Sequence, residues 1–270
     1  MKRILAGLAF SSLSLLTVEA LIRPHEQAPS SAAGGAHVPV VIELFTSEGC
    51  SSCPPADAFL ARMTEQQFSG NVQLITLEEH VDYWNELGWV DPFSSKDWTA
   101  RQYVYAGSLK NGNPYTPQMV VDGTAEFVGS RTQKAHEAIL EAAGKTKIPV
   151  TLTLGSGNQA GKETVHVEVG KLEERSKCED PEVWLAITET GLHSAVARGE
   201  NAGEDLHHGA VVRSMRKIGE AKANGEISFA GDASVPLRLE WKRENLRVVL
   251  LVQERKSRRI LGAAEIRLTQ

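Results

Sequence analysis

The chain has 270 residues, of which 41% are hydrophobic and 23% are charged. This length predicts one large or two ordinary domains with a sizeable core, and the composition excludes a disordered chain or a fibre. A net charge of −5 argues against nucleic acid as the main partner. Three cysteines are too few to stabilise a small secreted scaffold, so the position of each one has to be considered separately.

The N-terminus has the pattern of an export signal. Two basic residues precede the apolar run Ile4–Val18, and small residues follow at a cleavage position, so residues 1–20 are predicted to be a signal peptide. Residues 21–37 are predicted to be a linker because they are rich in Ala, Ser, Pro and Gly. The alternative is an uncleaved anchor, the only case in which we expect membrane contact. Both predict a periplasmic or secreted protein, in a compartment where disulfides persist.

Strand and helix signals alternate between residues 38 and 146, which predicts an α/β domain. Its predicted elements are, in chain order, a strand at Val40–Phe45, an amphipathic helix at Pro54–Phe68, a strand at Val72–Leu77, and a hairpin of Gln118–Val121 and Ala125–Val128 around Asp122-Gly123. A last helix is predicted to begin at Ser130, with Gln133 completing a capping box, and to end at Gly144.

Residues 147–270 have a different character, which predicts a second domain. Short alternating runs recur between Gly, Asn, Asp and Lys clusters, and no convincing helix intervenes. The runs are Val150–Leu154, Val165–Val169, Val183–Thr188, Val211–Met215, Ile227–Phe229, Val235–Leu239, Val248–Gln253 and Ile260–Leu268. Several short strands separated by turn signals predict an all-β, sandwich-like domain.

Cys50 and Cys53 form a Cys-x-x-Cys pair directly after the first strand and at the start of the first helix. The amides and the dipole of a helix N-terminus stabilise a thiolate and lower the pKa of a cysteine thiol there. A thiolate attacks disulfides, so the spacing predicts Cys50 as the nucleophile and Cys53 as the resolving thiol. Cys178 is far away in the sequence; we expect an incidental surface thiol, the alternative being a partner in a mixed or intermolecular disulfide.

The strand, the Cys-x-x-Cys pair and the helix resemble the thioredoxin superfamily, as does Thr116-Pro117 before the hairpin. The resemblance implies a thioredoxin-like domain in which Pro117 is a cis-proline facing the two sulfurs. The neighbouring backbone, at Thr116, would pair with an extended peptide. Glu43 lies near the position of a buried acid in that superfamily, the alternative being a surface carboxylate at a strand end.

Three longer strings resemble a bacterial family of exported thioredoxin-like proteins catalogued as domain of unknown function 1223. They are Glu43–Asp57, His80–Phe93 and Thr116–Gly123, and Arg198–Gly203 matches more loosely. The resemblance implies the fold and export of the chain. It supplies no substrate, because the function of the family is not established.

Residues 80–115 hold eight of the sixteen aromatic residues. They are predicted to be a helical insert beside the cysteines, with one helix beginning after Ser94 or Ser95. The insert could form a lid or groove wall that binds a peptide, because aromatic side chains supply contact area at low entropic cost. The alternative is a small satellite core that holds the insert on the domain.

Three histidines need an interpretation. His80 ends the second strand, where it could tune Cys50 or join a metal site with the two sulfurs, as in copper-delivery proteins; the alternative is a structural hydrogen bond. His207 and His208 lie in a Gly-rich loop and are expected to be solvated.

The sequence therefore predicts an exported thiol–disulfide oxidoreductase acting on protein or peptide thiols and disulfides. Its site residues are Cys50, Cys53, Thr116 and Pro117, with no cofactor, no bound metal and no nucleic acid. An unidentified envelope protein would be its redox partner, and the direction of exchange is left open. The alternative is a non-catalytic envelope binding module with a structural disulfide or a copper-binding dithiol.

Overall fold

The computed structural model describes residues 37–66, 68, 70–109, 112–155, 161–172, 180–223 and 225–268. The predicted signal peptide, almost all of the predicted linker and Cys178 lie outside these residues. Within the part that is described, no helix is long and apolar enough to cross a membrane.

The first half of the chain contains the elements that its periodicity predicts. In chain order they are β1 (Val38–Thr46), α1 (Pro54–Glu65), β2 (Val72–His80), α2 (Lys96–Leu109), β3 (Gln118–Val121), β4 (Ala125–Val128) and α3 (Thr132–Ala143). The hairpin prediction is confirmed, and Asp122 and Gly123 both have positive φ, of 49° and 69°. A Cβ on Gly123 would clash with the carbonyl of Arg258, so the turn requires glycine there.

The start of α3 differs from the prediction. The capping box at Ser130 and Gln133 is wrong, since Arg131 is the N-cap and no side chain caps the helix. Gly144 is the C-cap, as predicted. The helix therefore relies on its apolar face, where Ala135 and Ile139 are buried against the sheet, rather than on a cap.

Apart from one short 3-10 helix at Arg243–Asn245, the regular elements of the second half are all strands among its described residues. Its strands are β5 (Val150–Leu154), β6 (Lys162–Gly170), β7 (Glu182–Glu189), β8 (Leu192–Ala195), β9 (Asp205–His208), β10 (Val211–Glu220), β11 (Ile227–Pro236), β12 (Leu246–Gln253) and β13 (Ile260–Arg267). The sequence did not predict β8 and β9, and the two runs predicted around residues 227 and 235 belong to one strand, β11.

One mixed sheet of eight strands runs through both halves, in the order β13-β12-β7-β10-β2-β1-β3-β4. β1 and β2 are parallel, in register from Val38 opposite Val72 to Thr46 opposite His80. β10 pairs with the other edge of β2, also in parallel, with Val211 opposite Glu78. β11, β6 and β5 form a separate three-stranded sheet, and β8 pairs with β9.

The predicted fold class is therefore wrong. An α/β thioredoxin-like domain with a helical aromatic insert, followed by an all-β sandwich-like domain, would place the strands of the two halves in separate sheets. The chain is instead mostly β, with one large mixed sheet and three α-helices among the described residues. The physical reason lies in β2, whose last six residues are all buried and which takes β10 as its second neighbour.

The core has two main layers. On one side of the large sheet, α1 and α3 cover the alternate residues Val40, Ile42 and Leu44 of β1. In the second half, the three-stranded sheet packs on β7 and β12, burying the valines of β6. The described residues from 37 onward belong to one compact unit, and the predicted boundary after residue 146 falls inside it.

Candidate functional site

Cys50 and Cys53 form a disulfide in the connection between β1 and α1, with their Cα atoms 5.4 Å apart. Cys53 is the N-cap residue of α1, and two prolines open the helix behind it. Both cysteines are 0% exposed, whereas Ser51 and Ser52 between them are exposed. The disulfide therefore sits at a helix N-terminus with only the intervening serines facing solvent.

A loop from the second half holds the cysteine connection in place. The Asn201 side chain donates from Nδ2 to the backbone carbonyls of Glu48, at 2.8 Å, and Cys50, at 3.1 Å. The backbone N–H of Ser51 donates to Glu200 Oε2 at 3.0 Å. We call Glu200 and Asn201 the latch. Both residues belong to the segment Arg198–Gly203, which resembles the family more loosely. The hydrogen bonds described here are the contacts that this segment makes with the cysteine connection.

The peptide bond between Thr116 and Pro117 is cis, as the resemblance implies. Trp84 Nε1 donates to Thr116 Oγ1 at 2.8 Å, and its Cβ lies 3.1 Å from the position of a Cβ on Gly49. Trp84 thus bridges Thr116 and the residue preceding Cys50. Because a Cβ on Gly129 would contact both Pro117 and Ala56, the proline lies near the first turn of α1.

The aromatic residues of segment 80–115 lie partly beside the cysteine connection and partly in the core. Trp84 contacts the site, and Trp89 Nε1 donates to Glu48 Oε2 at 2.8 Å. Trp98 and Tyr105 are buried in the core, as the satellite-core alternative predicts. They lie on α2, which begins at Lys96 directly after Ser95, so the predicted helix is confirmed.

Glu48 and Asp57, which flank the cysteines in the chain, belong to a buried group of acids and histidines that the sequence analysis did not assemble. We call it the acid–histidine cluster, and each of its side chains belongs to a residue no more than 3% exposed: Glu48, Asp57, Glu78, His80, Asp91 and His208. Glu48 precedes the cysteines in the chain, and Asp57 follows Cys53 by one helical turn. The signal in the sequence that could have placed Asp57 near the cysteines is its i, i+4 spacing from Cys53, which sets both residues on one face of α1.

The hydrogen bonds of the cluster are centred on its two histidines. His208 Nδ1 lies 2.8 Å from Glu78 Oε1, and His208 Nε2 lies 3.1 Å from Glu48 Oε1. His80 Nδ1 lies 2.7 Å from Asp91 Oδ2. The prediction that His208 is solvated is wrong, because β9 lays it against β2, whereas the side chain of His207 is 72% exposed.

Proton affinities in the cluster are strongly perturbed. Burial, with a contribution from nearby Glu78, raises the pKa of Asp57 to about 7. Burial alone lowers the pKa of His208, but Glu78 and Glu48 more than offset it and raise the pKa to about 9. Burial also lowers the pKa of His80, but Asp91 and Glu78 reverse this effect and hold the pKa well above its ordinary value.

Glu43 is fully buried, so the alternative of a surface carboxylate is wrong. Arg101 Nε donates to Glu43 Oε2 at 2.5 Å, and the hydroxyl of Tyr105 donates to the other oxygen. Both partners are on α2, on the face of β1 away from α1. The acid that lies one turn from a cysteine is Asp57, not Glu43.

A structural-genomics protein from Agrobacterium tumefaciens is 25% identical over 87% of this chain and 96% of its own, with a TM-score of 0.63. HBP35 of Porphyromonas gingivalis is 16% identical over 87% of this chain and 76% of its own, with a TM-score of 0.60, a likeness of fold alone. No protein of curated function matches the chain. The family described as "Protein of unknown function (DUF1223)" matches residues 41–253, and this chain belongs to that family.

Proposed function

We propose that this protein is an exported thiol–disulfide oxidoreductase that acts on protein or peptide thiols and disulfides through Cys50 and Cys53. The observation that carries the proposal is the Cys50–Cys53 disulfide at the N-terminus of α1, with Trp84 linking it to Thr116 and Pro117. A helix N-terminus stabilises a thiolate, which is the reactive form of cysteine. This local arrangement underlies the resemblance to the thioredoxin superfamily, and we propose that the chemistry is shared although the overall sheet differs.

The reaction balances as two successive exchanges. In the reducing direction, the Cys50 thiolate attacks a sulfur of the substrate disulfide, forms a mixed disulfide and expels one substrate thiolate. Cys53 then loses its proton, attacks Cys50 Sγ and releases the second substrate thiolate, and both leaving groups are protonated. Two electrons pass to the substrate, and the Cys50–Cys53 disulfide remains. The oxidising direction is the reverse sequence.

We propose that Asp57 takes the proton from Cys53. It lies one turn further along α1, is 3% exposed, and accepts a hydrogen bond from Thr46 Oγ1 at 2.5 Å. A side chain on a helix leans toward the N-terminus, so the Asp57 carboxylate points toward the cysteine end. With a pKa raised to about 7, it can both accept and return a proton near neutral pH.

Access to the sulfurs requires an opening. Both cysteines are covered in the oxidised form, and the latch residues Glu200 and Asn201 fix the backbone around them. Release of these hydrogen bonds would detach the backbone of residues 50 and 51 from the latch, whereas the bonds from the N–H groups of Gly49 and Cys50 to Ser47 would remain. We propose that a substrate enters from the exposed side of Ser51 and Ser52 when the latch opens.

The same burial favours a second candidate, a non-catalytic binding module whose disulfide is structural. A disulfide with both sulfurs inaccessible resists exchange, and it would rigidify the connection over the acid–histidine cluster. A copper-binding dithiol is the other form of this candidate. The two candidates differ in whether Cys50 forms mixed disulfides.

The test is a trapping experiment in a Cys178→Ser background, which leaves Cys50 and Cys53 as the cysteines of the chain. A Cys53→Ala variant is incubated with a peptide carrying an internal disulfide, and the Cys50→Ala variant, which retains Cys53, is the matched control. We expect a mixed disulfide with the peptide on Cys50 that accumulates at least about tenfold faster than the adduct on Cys53.

Equal and slow labelling of the two variants would contradict the oxidoreductase and leave the binding module. Copper analysis of the reduced wild-type protein then separates the two forms of that alternative. Expression of the Cys53→Ala variant in its native cells, followed by identification of the trapped partners, would define the substrates.

A further inference from the structure

We propose that Glu78, His80 and His208 form a binding site for one divalent transition-metal ion of the zinc type, inside the acid–histidine cluster and separate from the cysteines. Among the described residues, these three bring one donor atom each within 4.8 Å of the others. All three side chains are buried completely. Neither cysteine belongs to the group, so the site does not depend on the proposed exchange chemistry.

The donor atoms are a carboxylate oxygen and two imidazole nitrogens. Glu78 Oε1 lies 3.6 Å from His80 Nε2 and 2.8 Å from His208 Nδ1, and the two rings meet edge to face with centroids 4.6 Å apart. Ligands held about 2.0–2.2 Å from a tetrahedral ion lie about 3.3 Å from each other. The two distances bracket this value, and the ring nitrogens of the two histidines lie within 4.8 Å of each other. An ion therefore requires small side-chain adjustments, including an opening of the shorter contact by about 0.5 Å.

A second observation points to a ligand at the same place. His80 Nε2 is buried and has no hydrogen-bond partner among the described residues, although it faces Glu78 Oε1. A buried polar atom without a partner is unfavourable, and 3.6 Å is too long for a hydrogen bond. An ion bound by both atoms would give His80 Nε2 the partner that it lacks.

Partners outside the three ligands hold each one in position. His80 Nδ1 contacts Asp91 at 2.7 Å, and His208 Nε2 contacts Glu48 at 3.1 Å. The second oxygen of Glu78 accepts the backbone N–H groups of residues 209 and 210, at 2.8 and 3.3 Å. Carboxylates that accept the remaining ring N–H of a ligand histidine fix its orientation and raise its basicity, as in known zinc sites.

The ligand set selects the ion. Two imidazoles with one carboxylate are a recurrent zinc set, and imidazole nitrogen also binds copper, iron and nickel, whereas calcium and magnesium prefer oxygen. The ion would join the end of β2 to β9, and Glu48, which contacts His208, lies on the connection that carries the cysteines. Because the site is closed, we expect loading during folding and slow loss afterwards.

The experiment measures metal retained after refolding. Protein is unfolded in EDTA, refolded with zinc or with cobalt, and freed of excess metal before elemental analysis. The oxidised wild-type protein and the Cys50→Ser/Cys53→Ser variant are both expected to retain one zinc per chain. The cobalt form is expected to show d–d absorption without thiolate charge-transfer bands.

His208→Ala and Glu78→Gln are expected to weaken zinc binding at least about tenfold in chelator competition. The matched control is His207→Ala, which removes the adjacent, exposed histidine and should retain wild-type affinity. If one of these variants fails to fold, His80→Gln is tested in its place. Circular dichroism of the EDTA-treated protein shows whether each variant folds.

Three results would overturn the site: a wild-type protein that retains no zinc, binding that disappears with the cysteines, or a loss in His207→Ala equal to that in His208→Ala. A wild-type protein that retains no zinc overturns the site even if every variant misfolds. Failure of the metal site leaves the trapping of peptides on Cys50 unaffected, so the two proposals fail independently.

Discussion

At the scale of single residues, Asp57 makes the stability of the protein depend on pH. Its pKa rises from 3.8 to about 7 on folding, because burial and Glu78 disfavour the carboxylate while His208 and His80 only partly compensate. Below about pH 4 the group is neutral in both states. As the pH rises from about 4 to about 7, the unfolded state ionises first, so this group lowers the free energy of unfolding progressively.

The Asp57→Asn variant removes that ionisation and keeps an oxygen that accepts the hydrogen bond from Thr46. In EDTA-treated protein we expect the difference in free energy of unfolding between the variant and the wild type to increase in favour of the variant between about pH 4 and about pH 8. The expected increase is at least about 1 kcal/mol. Urea unfolding at both pH values measures it. A difference independent of pH would show that Asp57 is ionised in the folded protein.

The latch can also be tested by a single substitution. Asn201→Ala removes two hydrogen bonds to the backbone around Cys50, each of which contributes about 1 kcal/mol. We expect dithiothreitol to reduce the Cys50–Cys53 disulfide about tenfold faster in this variant, because the opened state becomes more populated. Glu204→Ala, in the same loop, is the control, and a rate unchanged by Asn201→Ala would exclude the latch as the barrier to access.

At the scale of elements, α2 ties the first half of the sheet to the second. The Tyr105 hydroxyl donates to Glu43 on β1 and accepts from Gln253 Nε2 on β12 at 2.7 Å. Tyr105→Phe leaves both buried partners with one contact fewer, which should lower the free energy of unfolding by about 1–3 kcal/mol.

Tyr103, on the same helix, is the matched control because its side chain is 58% exposed. Tyr103→Phe should change stability by less than about 0.5 kcal/mol. Equal effects of the two substitutions in urea unfolding would mean that the hydrogen bonds of Tyr105 contribute nothing to the link between the halves.

Elements are also the level at which sequence analysis succeeded. Periodicity predicted β3, β4 and β5 with their observed bounds, because each run has one pattern and is bounded by turn residues. It did not predict β9, since Leu206 lies among histidines and acids that resemble a polar loop. His208 was misassigned for the same reason: its burial depends on Glu78, a partner 130 residues away.

The site was predictable only in part. The positions of Cys50, Cys53 and Pro117 followed from local spacing and from the resemblance, but the latch and the acid–histidine cluster depend on contacts between distant segments. Alternation along a strand indicates which face is buried, not which strand is its neighbour. The pairing of β2 with β10 was therefore beyond the sequence pattern.

At the scale of the whole molecule, the shared sheet predicts cooperative unfolding. β10 continues the sheet beyond β2, and Gln253 joins the buried polar group around Arg101, at 3.4 Å. We expect tryptophan fluorescence and far-ultraviolet circular dichroism to give coincident urea transitions. Two separated transitions would show that residues on either side of position 146 fold as independent units.

The central claim is that Cys50 exchanges disulfides with peptides, and stopped-flow kinetics test it most directly. Reduced protein lacking Cys178 is mixed with a fluorescent peptide disulfide near pH 7, with reduced glutathione as the reference thiol. We predict a second-order rate constant at least about tenfold above that of glutathione, and its loss in Cys50→Ser but not in Ser51→Ala. A rate constant at or below that of glutathione would contradict the oxidoreductase and leave the non-catalytic binding module.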